Sequence, residues 1–479
     1  MRPLETLLIV VNVLTFIVLA LPLPSSLHGM HYAALLALLI AAMQVLFEGA
    51  RWQMFPAYGF TLLLFLLWLP GIVIPDSIHV NRPVAILGMV AGLLILSISI
   101  ALPILVPVFH FPHPTGPYAI GTLTQYWVDT TRKDDFGLAP NTQRELMVQI
   151  WYPAKNDPAA PRTPYVEHPE GLVTLAKLAR MPEFIFNHFH YVTTNAIPSA
   201  PVADAEPRYP VLIFMSGRGG YRQSNSVQVE HLVSHGYIVV ALDQPYASSG
   251  VVFPDGRIVT MDPRMFDPER PGHPPFFDSA QIFPYLAQDV SFTLDQLSAL
   301  NQAEPDGILT RRLDMEHVGV FGVSLGGIAT GEACHLEQRV SACLVLDAAM
   351  PADVVESGLQ QPTMWISREA QWMELEGWKQ ADIDETQNSM RTVYDSLPGD
   401  GYLVLVPGMF HVNHADAPYF SPVGSKIGFT GPIDGRRGLD IINAYSLAFF
   451  DKELKGQPAS LLDGASSQFP EVSFFSKSK

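Results

Sequence analysis

The chain opens with four apolar stretches, at 4–23, 31–46, 54–74 and 84–109, separated by short polar breaks. A helix needs about 20 apolar residues to cross the hydrocarbon of a bilayer. Three stretches reach that length and the second is marginal, so the pattern predicts an N-terminal bundle of about four transmembrane helices. Arg2 ahead of an apolar core also fits a signal peptide, but three further apolar segments follow at once and favour a multi-pass bundle. Trp52, Tyr58 and Trp68 suit interfacial depths. No acidic or basic residue sits mid-segment, which predicts an anchor rather than an ion or proton path. "HFPHPTGPYAIGT" (110–122) then breaks any helix leaving the membrane with three prolines and two glycines.

Beyond the break the pattern changes to short β-rich runs. These are "ELMVQIWYP" (145–153), "YPVLIFMSG" (209–217), "YIVVALDQP" (237–245), "HVGVFGVS" (317–324), "ACLVLDAA" (342–349), "PTMWISRE" (362–369) and "GYLVLVPG" (401–408). Most are continuously apolar, as strands buried on both faces are. Helical patterns lie between several of them: "SNSVQVEHLVSHG", "LAQDVSFTLDQLSAL" and "GGIATGEACHLEQ". A last one, "LDIINAYSLAFFDKELKG", closes the domain and ends at a glycine. Alternation of this kind predicts an α/β domain with a mostly parallel sheet flanked by helices. The expected division is an anchor over 1–112 and a catalytic domain over 113–479. Segment 251–278, rich in Pro, Asp and Arg, reads as a long insertion, either a lid or a solvated loop.

Charge sharpens this division. Up to His110 there are three basic residues (Arg2, Arg51, Arg82) and three acidic ones (Glu5, Glu48, Asp76), so the net charge of −17 belongs to the rest of the 479-residue chain. An acidic domain repels phosphate backbones, which excludes nucleic acid as a partner. Four crossings put the N-terminus, the Arg51 loop and the large domain on one side and Arg82 on the other. That bias leans toward a cytoplasmic domain and leaves the side open. Cys334 and Cys343 fall in a predicted helix and the strand after it, and are expected as two buried thiols, with no zinc pattern or disulfide framework.

The candidate chemistry begins at Gly322-Val323-Ser324-Leu325-Gly326, directly after a predicted strand and before a predicted helix. A nucleophile on a parallel sheet must point out at the carboxyl end of its strand, through a turn so tight that the flanking positions must be tiny. Gly322 and Gly326 meet that need, and Gly327 lets the helix approach the sheet. Serine is a weak nucleophile and needs a base held by an acid. Asp347, ending "ACLVLD", is the expected acid. Asp243, ending "YIVVALD", is its rival but precedes the serine. His411 and His414 both follow the last predicted strand, and His411 comes sooner. His414 with Asp416 supplies too few ligands for a metal site. His188 and His190 read as packing or surface residues. The oxyanion donors are expected on the backbone of Leu325 and in the loop Ser216-Gly217-Arg218-Gly219-Gly220, which lacks the Lys-Ser/Thr ending of a phosphate loop.

With these residues in view, the chain resembles the plasma-type (isoform II) platelet-activating factor acetylhydrolases and their bacterial relatives, which are α/β-hydrolases. The similar stretches include "PTGPYAIGT", "RELMVQIWYP", "GRGGYR", "LVSHGYIVVALD", "RRLDMEHVGVFGVSLGG", "LVLDAAM" and "PGMFHVNHAD", spread over residues 113–455. The resemblance implies a triad at Ser324, Asp347 and His411 and oxyanion donors on the backbone of Leu325 and Arg218. It implies no metal and no organic cofactor. Two departures bear on substrate preference: Val323 stands where the family commonly has histidine, and Met215-Ser216-Gly217 replaces a Ser-His-Gly turn. The expected protein is a membrane-anchored serine ester hydrolase for short or oxidised acyl esters of phospholipids. A polyesterase or general carboxylesterase is the nearest alternative. A silent membrane sensor on a hydrolase fold is the competing class. The sequence leaves the natural ester and the oligomeric state open.

Overall fold

The structure is a computed structural model that describes residues 1–20, 32–73, 81–134, 142–262 and 279–478. It divides into two compact units, one of Met1–Phe109 with Phe420–Val423, the other of His110–Tyr419 with Gly424–Lys479.

In the first unit four apolar helices pack together: α1 (Pro3–Ala20), α2 (Ala33–Phe47), α3 (Phe55–Val73) and α4 (Arg82–Leu105). Three windows, Pro3–Ala20, Trp52–Leu69 and Arg82–Leu105, are long and apolar enough to cross a membrane, whereas α2 has 15 residues. Of the four expected spans, three are therefore long and apolar enough to cross and α2 is not. Charged groups cluster where helix ends meet. Arg51 donates from Nε and Nη2 to the Glu5 carboxylate at 2.7 and 2.8 Å, and from Nη1 to the Val106 carbonyl at 2.8 Å. Arg2 donates to the Gly49 carbonyl and the Leu4 N–H to Glu48, at 2.8 and 2.7 Å. A charge withdrawn from water must be paired, and here the pairing gathers the start of α1, the end of α2, the start of α3 and the end of α4 at one end of the bundle. Within the bundle Thr61 donates to Asn12, a polar contact of the kind that joins helices where burial of apolar surface gives no preference.

The second unit is built on a ten-stranded sheet. Its strands are β1 (Ala119–Lys133), β2 (Gln143–Ala154), β3 (Ala196–Pro198), β4 (Tyr209–Met215), β5 (Ile238–Asp243), β8 (Leu313–Val323), β9 (Ala342–Leu346), β10 (Thr363–Ser367), β11 (Gly401–Leu405) and β12 (Ser473–Lys477), while β6 (Gly250–Val252) and β7 (Ile258–Thr260) form a separate hairpin. The order is β12-β11-β10-β9-β8-β4-β5-β2-β1-β3. β5, β4, β8, β9, β10 and β11 run parallel, and β2, β1 and β12 extend the sheet with antiparallel pairings. Every residue of β4, β5, β9, β10 and β11 is buried, the reason these strands read as unbroken apolar runs. Among the described residues, the α-helices of this unit are α5 (Val173–Leu178), α6 (Ser226–Ser234), α7 (Ser279–Gln302), α8 (Leu325–Leu336), α9 (Ala352–Ser357), α10 (Ala370–Glu376), α11 (Gln380–Ser396) and α12 (Gly435–Lys455). This is the mostly parallel, helix-flanked sheet of an α/β-hydrolase. Of the anticipated insertion 251–278, the first part is the β6–β7 hairpin, and 263–278 lie outside the described residues.

One expectation is corrected. Cys334 of α8 and Cys343 of β9 are not separate thiols but a disulfide, with Cα atoms 6.5 Å apart. A helix end and the following strand meet here across 9 residues, a spacing that matches no cysteine motif and becomes a contact only once α8 folds back on the sheet.

Candidate active site

Ser324 lies in the turn between β8 and α8 with φ 57° and ψ −123°, a backbone state costly for any side chain. The chain around it is as close as the glycines imply. A Cβ on Gly322 would stand 2.3 Å from the Gly326 carbonyl oxygen, and one on Gly326 would stand 2.0 Å from that of Met215. A Cβ on Gly327 would meet Ala348 at 2.7 Å and Val345 at 3.3 Å, so this glycine does let α8 lie close to β9. The Ser324 N–H donates to the Leu346 carbonyl at 3.0 Å and the Asp347 N–H to that of Ile366, also at 3.0 Å. The ends of β8, β9 and β10 are thereby stepped against one another, and Ser324 and Asp347 share one edge of the sheet.

Asp347 is fully buried. Its carboxylate meets His411 Nδ1 at 2.7 Å through Oδ2, accepts from Ser367 Oγ at 2.8 Å through Oδ1, and receives Arg368 Nε at 3.1 Å. Burial pushes its pKa up, but His414, the His411 hydrogen bond and Arg368 outweigh that and hold it well below the usual carboxylate range. His411 opens the short helix His411–His414 after β11. Asn413 fixes this turn by accepting from the N–H groups of Phe410 and Gly431 at 3.0 and 2.8 Å. His414 faces inward: it is fully buried, its Nδ1 lies 3.2 Å from the His411 carbonyl and 3.9 Å from Asp347, and burial lowers its pKa to about 4.

The loop after β4 reaches the serine. A Cβ built on Gly217 would be 3.2 Å from Ser324 Cβ and 3.7 Å from its Oγ. Arg218 follows in this loop, and Leu325 is the first residue of α8, where backbone N–H groups have no acceptor within the helix. Asp243, the rival acid, is engaged elsewhere. It accepts the Arg222 N–H at 2.7 Å and pairs with the Arg222 guanidinium, bracing the loop from behind. Asp416 caps α6 by accepting from the N–H groups of Ser226 and Val227 at 2.7 and 3.1 Å, and it also accepts from Tyr165 Oη. His188 is buried against Phe189, and His190 is exposed.

Sequence reasoning missed four residues around the acid: Ser367, Arg368, Glu376 and Trp378. The only signal was the polar "SRE" closing the run "PTMWISRE" at the sheet edge where Asp347 was expected. A cavity of about 560 Å³ lies apart, lined by His113, Glu230, His231 and Asp440 among others, and none of Ser324, Asp347 or His411 lines it.

The chain matches the model of the family "Platelet-activating factor acetylhydrolase, isoform II" over residues 105–253 and 306–464. It is 25% identical over 368 residues to the platelet-activating factor acetylhydrolase of Canis lupus familiaris, covering 72% of this chain and 77% of that protein. A probable 1-alkyl-2-acetylglycerophosphocholine esterase of Arthroderma benhamiae is 26% identical over 396 residues, 76% of this chain and 94% of that one. Among solved structures, the ferulic acid esterase from Streptomyces cinnamoneus superposes with a TM-score of 0.63 and 28% identity over 77% of this chain and 99% of its own.

Proposed function

The chain belongs to the isoform II platelet-activating factor acetylhydrolase family and is a serine ester hydrolase; on that premise we propose that Ser324, Asp347 and His411 form its triad and that it cleaves short or oxidised acyl esters of phospholipids. His411 takes the Ser324 proton as Oγ attacks the ester carbonyl carbon, and Asp347 holds the resulting imidazolium. The N–H groups of Leu325 and Arg218 receive the oxyanion. The alcohol, a lysolipid, departs with the proton from His411. Water, deprotonated by His411, then releases the acid from Ser324. The observation that carries this reading is the 2.7 Å contact of His411 with a buried, ionised Asp347 on the sheet edge that bears Ser324.

Residues 1–112 serve as a multi-pass anchor in the cell membrane, with four crossings, and 113–479 as the catalytic domain. The polar cluster joining alternate helix ends supports four crossings despite the short α2. An anchored esterase meets its lipid at the bilayer surface. A second reading, a carboxylesterase on soluble esters, is supported by the similarity to a ferulic acid esterase. The test measures purified enzyme on p-nitrophenyl esters of graded chain length, on 2-acetyl and long-chain phosphatidylcholines, and on methyl ferulate. Preference for the acetyl phospholipid is expected. Preference for methyl ferulate with no phospholipid turnover selects the second reading.

A further inference from the structure

We propose that Arg368 and Glu376 are positioning residues for the His411–Asp347 pair, with Arg368 clamping the carboxylate and Glu376 offsetting the arginine's charge while holding the backbone of His411. This rests on the triad reading above. Arg368 follows β10 directly and is fully buried. Its Nε lies 3.1 and 3.4 Å from the two Asp347 oxygens. Its Nη1 pairs with Glu376 Oε2 and also faces the carbonyls of Trp372 and Met409 at 3.4 Å. Glu376 ends α10 and accepts the His411 N–H with both oxygens, each at 3.1 Å. Trp378 covers the set. Arg368 Cζ sits 4.9 Å from its ring centroid, and the His411 ring meets it edge-on at 5.2 Å. One chain of contacts thus runs from the acid through arginine and glutamate back to the base.

The charges explain why two residues are needed. Asp347 must present a negative charge to the imidazolium formed during turnover. A buried arginine fixes the carboxylate and keeps it ionised, but it also cancels the charge that the imidazolium requires. Glu376 restores a net charge of −1 to the Asp347–Arg368–Glu376 set. Among the described residues, His414 is the other titratable group facing the pair, and burial keeps it neutral above a pH of about 4. Among the described residues, the charged groups in contact with His411 or with its acid are therefore Asp347, Arg368 and Glu376, and removing Arg368 or Glu376 moves the base in opposite directions.

The experiment is kcat/KM on one activated ester from pH 4.5 to 9 for wild type, Glu376→Gln, Arg368→Met and the double variant. Glu376→Gln leaves the arginine uncompensated, so the acid limb of the profile moves down by about one pH unit. The pH-independent rate falls by tenfold or more, on the order of what a displaced catalytic group costs. Arg368→Met moves the limb up by a similar amount. The double variant returns it close to the wild-type position while the rate stays low. Glu376 is partly exposed and its substitution isosteric, so that variant tests the proposal even if Arg368→Met does not fold. An acid limb that stays in place in Glu376→Gln overturns the proposal. Fluorophosphonate labelling keeps the two readings apart. If wild type does not label at Ser324, the triad reading has failed. If it labels and the limb does not move, only the roles of Arg368 and Glu376 have failed.

Discussion

Ser324 carries its side chain on a backbone with φ 57°, held between Gly217 and the start of α8, and alanine fits that turn as well as serine does. Ser324→Ala should therefore fold and lose roughly 10⁴-fold or more in kcat, as triad deletions do. Hydrolysis rates together with a melting curve check this, and a variant that keeps a tenth of the rate would exclude Ser324 as the nucleophile. Asp347→Asn keeps the shape but not the charge, and should cost about 10⁴-fold. Asp243→Asn should cost far less in rate, because Asp243 answers to Arg222 rather than to a histidine. His411→Ala should be nearly inactive, whereas His414→Gln should lose no more than about tenfold in kcat/KM. His414 has its own signature. Its folded pKa of about 4 lies below the ordinary 6.5, so the unfolded chain binds the extra proton as pH falls between those values. Stability is lost over that window by about 3 kcal/mol at most. Melting temperatures at pH 7 and 4.5 should therefore diverge less in His414→Gln than in wild type, and equal divergence would show that His414 does not carry the acid sensitivity.

At the level of elements, the turn glycines are under a constraint that propensity does not capture. Gly326→Ala would drive a Cβ to within 2.0 Å of the Met215 carbonyl, which belongs to the neighbouring strand and cannot move aside. Loss of soluble, labelled protein is expected, and normal fluorophosphonate labelling would show that the β4–α8 contact can open to admit a methyl group. The central strands were legible in sequence for a physical reason: β4, β5, β9, β10 and β11 are buried on both faces, so burial leaves unbroken apolar runs. β1 was not legible. It has no unbroken apolar run: Ile120, Gly121 and Thr122 are buried at its start, Thr124 and Tyr126 are exposed in its middle, and Thr130 and Thr131 are exposed near its end, so neither a continuous apolar stretch nor a clean alternation marks it. β12 is short and half-exposed at an edge, and α11 is strongly polar along its length. The proposed triad was legible because the fold sets its order at strand ends. Arg368 and Glu376 were not, since their meaning depends on β9, β10 and α10 converging, which no spacing along the chain encodes.

For the whole molecule, the disulfide between Cys334 and Cys343 bears on which side of the membrane the hydrolase works. Disulfides persist in oxidising compartments and are rare where thiols are kept reduced. The counter-argument from charge rests on Arg2 and Arg51. Both are tied to Glu5, Glu48 and helix-end carbonyls in the bundle, and Arg51 is 3% exposed, so their positions have a structural cause independent of topology. The expected arrangement is a catalytic domain on the oxidising face, with the N-terminus on the same side if the chain crosses four times. Membranes isolated under a small alkylating agent and then treated with a mass-tagging maleimide should show no tagged cysteine until a reductant is added under denaturing conditions, after which both are tagged. A chain lacking residues 1–109 should remain active when made in an oxidising compartment, since the proposed triad and its supports all lie beyond the bundle. Tagging of both cysteines without reductant would return the domain to the cytoplasmic face. The disulfide would then be absent from the working enzyme, leaving α8 and β9, which flank Ser324 and Asp347, joined by packing alone.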